Sequence, residues 1–309
     1  MSLPDDYLVY PKRQYGMDQA LYAWRPSDKR APVAWPEGKS VAAMIVVPIE
    51  HHMLNPTGKP FKHPGAMVTP YPDLRHFTTR DYGNRVGVFR ILKALKAAGA
   101  TATFPINAVL LDKVRPLVDA ILEDGHEIAA YGVDTDHIHW GGLDRETEEA
   151  WIDQTKTLFA RVGLSPRVWL SPARQQSFST LELLAKAGFE TCLDWEQDSV
   201  PVRMTTPGGD IVGAPLSNEL DDRLLLADRK QDEAMWSRQI LEAVAWSKAE
   251  ASRFGGQIVG FTLTPYVAGQ PFRAAAVADL LKTLTADKAV WAATASQIVD
   301  AWASAQPQS

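Results

Sequence analysis

The chain has 309 residues, 46% of them hydrophobic and 22% charged, the balance of a globular protein long enough to bury a large core. A formal net charge of −5 argues against a nucleic-acid surface, which needs clustered lysine and arginine. The single cysteine, Cys192, rules out an internal disulfide and a cysteine-rich zinc site; within Glu190-Thr191-Cys192-Leu193 it reads as a small core residue.

Residues 1–40 contain Pro4, Pro11, Pro26, Pro32 and Pro36 and read as an extended arm. The start, Met1-Ser2-Leu3-Pro4-Asp5-Asp6, lacks the basic and apolar blocks of a signal peptide. The longest apolar run, residues 41–49, is too short to span a bilayer, so a cytoplasmic protein with no membrane partner is expected. That run reads as the first strand, and residues 52–79 as a long proline-containing loop of the functional kind. Arg80-Asp81-Tyr82-Gly83 then places charged and turn residues ahead of a helix over 86–98, with Val86, Phe89, Ile91, Leu92 and Leu95 periodic and Gly99 as its stop.

A strand over 101–107 follows, then a helix over 111–124 ended by Gly125, and a strand over 127–131. Next come a helix over 146–162, a strand over 167–171, a helix over 181–187 stopped by Gly188, and a strand over 191–195. The remainder reads as a strand over 211–214, a helix over 233–253, a strand over 258–264, a helix near 273–284, a strand over 289–293 and a last helix. Repeated βα units without a glycine-rich dinucleotide fingerprint predict an α/β fold, a closed or partly open (β/α) barrel of about seven parallel strands. No linker divides residues 41–309, which read as a single domain.

Catalytic groups in such barrels stand at the C-terminal ends of strands. Those ends carry Glu50-His51-His52, then Tyr131 to Trp140 with Asp134, Asp136, His137 and His139, then Arg174, Asp194-Trp195 and Thr264. Glu219, Asp221 and Asp222 read as a solvated acidic turn, and His126, before its strand, as structural.

The stretch Arg80-Asp81-Tyr82-Gly83-Asn84-Arg85-Val86-Gly87, with the helix and strand after it, resembles the polysaccharide-deacetylase (NodB-homology) family, nearest to its ureide-hydrolysing allantoinase branch. The resemblance covers nearly all of the chain from Val41 onward. Glu50-His51 matches the family's paired acidic residues, which implies Glu50 as general base and His51 at the metal-ligand position. Gly125-His126-Glu127-Ile128 matches the lead-in to two histidines four apart, but Tyr131 and Thr135 stand in their places. Leu170-Ser171-Pro172-Ala173-Arg174 resembles the substrate-groove strand, and Asp194-Trp195 a pair typical of the allantoinase-like branch. Leu263-Thr264-Pro265 with Gly269-Gln270-Pro271-Phe272-Arg273 resembles the closing motif, with Thr264 and Phe272 where histidines would be.

The resemblance implies a hydrolase of non-peptide C–N bonds whose substrate is a small amide, ureide, imide or N-acetyl sugar. Its catalytic residues would be Glu50, with a pKa raised by partial burial, His51, Arg174 and Asp194. Tyr131, Asp134, His137, His139, Trp140, Trp195 and Thr264 would bind substrate. A hydrolytic zinc site needs three protein ligands and an open position, so no cofactor is expected; the alternative is zinc or another divalent metal on His51, Asp134 and His137. A homo-oligomer is expected. The competing readings are a non-catalytic barrel binding a small carbohydrate or ureide, and a structural partner subunit.

Overall fold

The strand β1 (Val41–Val46) is buried at every position and pairs on both edges, as expected for a central strand with apolar residues on both faces. The computed structural model describes residues 19–56 and 70–305; the first eighteen residues of the expected arm and 57–69 of the expected loop lie outside them. In chain order the other strands are β2 (Thr103–Ile106), β3 (Glu127–Ala130), β4 (Val168–Trp169), β5 (Thr191–Cys192), β6 (Val202–Thr206), β7 (Gly209–Gly213), β8 (Gln257–Thr262) and β9 (Val290–Ala293). They form one nine-stranded sheet in the order β6-β7-β5-β4-β3-β2-β1-β8, with β9 also on β1.

Every pairing is parallel except β6 with β7, a hairpin whose first strand the sequence reading missed. One edge of β1 is shared: Val41 to Met44 pair with β9, and Val46 pairs with β2. Between β8 and the β7 side no ladder runs; the N–H of Ile258 donates to Ser199 and that of Ser217 to Gly260. The result is a curled, distorted barrel rather than a regular one.

Helices cover the outside: α1 (Leu74–Tyr82), α2 (Val88–Ala98), α3 (Arg115–Glu123), α4 (Arg145–Arg161), α5 (Thr180–Lys186), α6 (Glu233–Phe254), α7 (Ala274–Ala286) and α8 (Ala295–Ser304). Gly99, with φ 64°, ends α2 in the left-handed conformation that glycine adopts without a Cβ penalty. The expectation that Arg80-Asp81-Tyr82-Gly83 is a turn is corrected. Arg80 to Tyr82 close α1, and a π-helical turn, Gly83–Gly87, carries the chain straight into α2. The glycines reflect packing: a Cβ on Gly83 would lie 2.7 Å from the Tyr266 nitrogen, and one on Gly87 2.1 Å from the Pro265 oxygen.

Side-chain parity divides the core in two. Val41, Ala43, Ile45, Val47 and Ile49 pack outward with the helices, while Ala42, Met44 and Val46 face the barrel interior with Trp35, Tyr131, Leu170 and Leu193. Continued past β1, the same alternation turns Glu50 and His52 inward and His51 outward. Among the described residues no helix is long and apolar enough to cross a membrane.

Candidate functional site

Glu50 lies at the C-terminal mouth of the barrel, 5% exposed, and both of its oxygens are occupied. Oε1 accepts from the Tyr131 hydroxyl at 3.0 Å and from Arg223 Nη1 at 2.9 Å, while Oε2 lies 3.2 Å from His52 Nε2. Burial pushes its pKa up, but the Arg223 guanidinium and the bonds from His52 and Tyr131 outweigh it, leaving Glu50 well below the usual carboxylate range. The expected raised pKa is therefore reversed. Burial also keeps the His52 imidazole below its ordinary pKa and the Tyr131 phenol far above its own, so both are neutral hydrogen-bonding groups at pH 7.

Arg223 is the residue that the sequence reading missed, and it organises the floor. Its Nε and Nη2 reach Asp221 at 3.3 and 3.1 Å, and Asp221 in turn faces Arg174 Nη2 at 3.5 Å. Asp221 and Asp222 are buried, so the solvated acidic turn expected there is corrected. Asp222 bonds the Thr264 backbone N–H and hydroxyl, both at 2.7 Å, and its burial beside Asp221 pushes its pKa up to about 7.

The remaining candidates divide into separate groups. His51, half-buried, points away from Tyr131 and Thr135: its carbonyl accepts from Thr135, but its ring lines a cleft toward α1. The ring that meets the Thr135 hydroxyl, at 3.4 Å, is His52. His52, two residues after Glu50 and on the same face, is thus the imidazole that stands between Glu50 and Thr135, while the His51 ring does not. Asp134 accepts from the Asp136 and His137 N–H groups and from His137 Nδ1 at 2.7 Å, a locally closed turn.

His139, 1% exposed, bonds Glu148 at 2.8 Å beneath Ser177 and Thr180, a structural role that corrects its assignment to substrate. Trp140 is 54% exposed. Arg174 pairs with Asn218 and Asp221 and not with Asp194 or Asp198; Asp198 takes Arg30 instead. Asp194 accepts from the Ser171 N–H, Gln176 and the Cys192 thiol, and Trp195 donates to Gln176, so this pair forms a neighbouring cluster of its own. Thr264 is fully buried on Asp222 and corrects to a support of the floor.

The cleft beside Glu50 has a volume of about 270 Å³ and is lined by His51, His52, Arg80, Asp81, Asn84 and Lys113, among others. Burial first, then the Lys113 charge, lower the His51 pKa, so this imidazole is neutral at pH 7. A catalytic zinc does not fit the donors that the described residues supply here. Among the described residues at the floor, Glu50 and His52 are the candidate ligands, each holds the other, and Tyr131 and Thr135 offer a neutral phenol and a hydroxyl. Among the described residues no group of three His, Cys, Asp or Glu side chains could hold a metal ion, so His51, Asp134 and His137 do not assemble into the alternative site.

A mostly parallel sheet curled into a barrel, with helices outside and polar groups at the strand ends, defines a distorted β/α-barrel fold. Residues 73–192 match the polysaccharide deacetylase family, and the whole barrel is similar in fold to solved structures. A probable polysaccharide deacetylase from Pseudomonas aeruginosa PAO1 is 19% identical, with a TM-score of 0.80, over 89% of this chain and 95% of that one. Puue allantoinase is 20% identical at 0.79, over 89% and 94%. A putative polysaccharide deacetylase from Mycobacterium smegmatis is 24% identical at 0.73, over 91% and 96%. No curated protein sequence matches the chain.

Proposed function

We propose that the chain hydrolyses a non-peptide C–N bond of a small amide or ureide in the cleft beside Glu50, with His51 rather than Glu50 handling the proton. The observation that carries this is the cleft itself, which places a neutral imidazole at a strand end of the barrel, alongside Arg80 and Lys113, which have no carboxylate partner among the described residues. Glu50 is a poor proton acceptor because Arg223 and its hydrogen bonds hold it ionised. It serves instead as the fixed anion around which the floor is built.

His51 would take a proton from water as the water oxygen bonds to the carbonyl carbon. The Asp134 carboxylate favours the resulting imidazolium electrostatically, and Lys113 favours the oxyanion. His51 would then return the proton to the nitrogen as the C–N bond breaks. A 270 Å³ cleft suits a small metabolite better than a glycan chain.

The test is a turnover screen of ureides, imides, amides and N-acetyl sugars, followed by His51→Gln on any substrate found. The substitution is expected to lower kcat on the order of 10²–10⁴-fold; an unchanged kcat removes His51 from the chemistry. A second reading, a barrel that binds such a ligand without cleaving it, is favoured by one observation: three internal partners already occupy Glu50. Tight binding with no turnover across the screen would select it.

A further inference from the structure

The α1 wall of the cleft carries a buried cation that makes no salt bridge among the described residues. Arg80 is 4% exposed, its Nη1 donates to the His76 carbonyl at 3.0 Å, and its guanidinium lies 5.1 Å from the centroid of the Tyr266 ring. Its Nε and Nη2 are sealed from solvent and have no hydrogen-bond partner among the described residues. Buried polar groups are nearly always paired, and a charged one left open marks a place for something else. Those two atoms also form one edge of the guanidinium, the edge that receives a carboxylate through two parallel N–H···O bonds.

The charges around it point the same way. Glu50 is neutralised by Arg223, and Asp81 by Arg85 at 2.5 Å. Lys113, which also lines the cleft, has no carboxylate partner among the described residues. The cleft therefore keeps surplus positive charge from Arg80 and Lys113, in a protein whose net charge is negative.

We infer that this cleft takes a small amide or ureide bearing a carboxylate, and that Arg80 grips that carboxylate through its Nε–Nη2 edge while the scissile carbonyl faces His51. The inference rests on the cleft being the reactive site, and it adds the ionic class of the ligand. The unit Gly83–Gly87, packed directly on Pro265 and Tyr266, fixes the helix end from which Arg80 projects.

Titration calorimetry of the whole chain can read this without any turnover. The probes are N-carbamoylglycine, N-acetylglycine and propionate, each against its neutral amide, with inorganic phosphate as the control anion. At least one acid is expected to bind on the order of 10–100-fold more tightly than its amide, the value of a charge-assisted bidentate contact. Arg80→Lys keeps the charge but loses the fork, and should shrink that preference to within about threefold. Acids that bind no better than their amides overturn the inference, as does an undiminished preference in Arg80→Lys. Phosphate displacing the acids at equal concentration also overturns it, because the site would then hold anions of any shape. Should the variant not fold, the comparison of acid with amide on the unaltered protein still decides. A preferred acid that binds but is never cleaved would sink the hydrolase reading alone; cleavage of neutral ureides without preference for acids would sink this inference alone.

Discussion

Replacing Arg223 with methionine leaves Glu50 in an interior from which its counter-charge has gone. The guanidinium lies 2.9 Å from Glu50 Oε1 and 3.1 Å from Asp221 Oδ2, with both carboxylates buried. Removing one member of a buried ion pair typically costs about 3–5 kcal/mol, most of it for stranding the other charge. Asp221 retains Arg174, so the loss should fall within that range rather than double it. The strand end would respond through Glu50, whose pKa should rise once burial acts without Arg223 to oppose it. Urea denaturation at pH 7.5 should therefore show Arg223→Met about 3–5 kcal/mol less stable than the parent protein. The gap should narrow toward pH 5.5, where the stranded carboxyl can take a proton. The double variant Glu50→Gln with Arg223→Met should recover about 2 kcal/mol or more relative to the sum of the single losses, since a neutral amide needs no counter-ion. A single-variant loss below about 1 kcal/mol, or strict additivity in the double variant, would refute the account of Arg223 as the charge that holds the floor together.

Asp222, whose folded pKa of about 7 lies above that of an unfolded aspartate, makes the protein favour protonation. That stability is fully present below the unfolded value near 4 and is lost as pH rises through 7. Asp222→Asn should accordingly flatten the profile, being less stable than the parent at pH 5 but gaining on it by about 1 kcal/mol or more by pH 8; parallel curves in thermal unfolding would rule this out. Tyr131→His with Thr135→His places two imidazoles beside His52 and should yield a chain that retains zinc after dialysis, where the parent retains none. Elemental analysis finding equal zinc in both would show that His52 is not the third ligand.

Most of the frame was legible because it is written in local terms. The periodic apolar face of α2 and the stop at Gly99 need no knowledge of the rest of the chain. The same holds for the strand that follows the Gly125-His126 lead-in. The hairpin of β6 and β7 was half missed, because Val202-Arg203-Met204-Thr205-Thr206 carries a charge and only Met204 and Thr206 are buried. Glu50 was found from its place at a strand end. Its ring partner could also have been found, since inward parity from Met44 and Val46 selects His52 over His51.

Arg223 could not be read that way. It lies 173 residues from Glu50, after an acidic pair that looks solvent-facing, and only the closure of the barrel brings them together. His139 misled for the opposite reason: its buried partner Glu148 is only nine residues away, a charged residue on the next helix whose burial the sequence does not show.

The double occupancy of β1 has a consequence for how the chain is made. This strand, buried on both faces, pairs along its full length with β8 and over Val41 to Met44 with β9, partners more than 200 residues later in the sequence. Such distant pairings form late and slowly, because a long loop must close before they gain anything. During synthesis β1 leaves the ribosome early and waits, apolar on both sides, until nearly the entire polypeptide has followed. Glu50, at its end, meets Arg223 only then. The segment that founds the site is thus the one most in need of protection on a nascent chain, and polypeptides ending before β8 should accumulate as aggregates rather than as partial barrels.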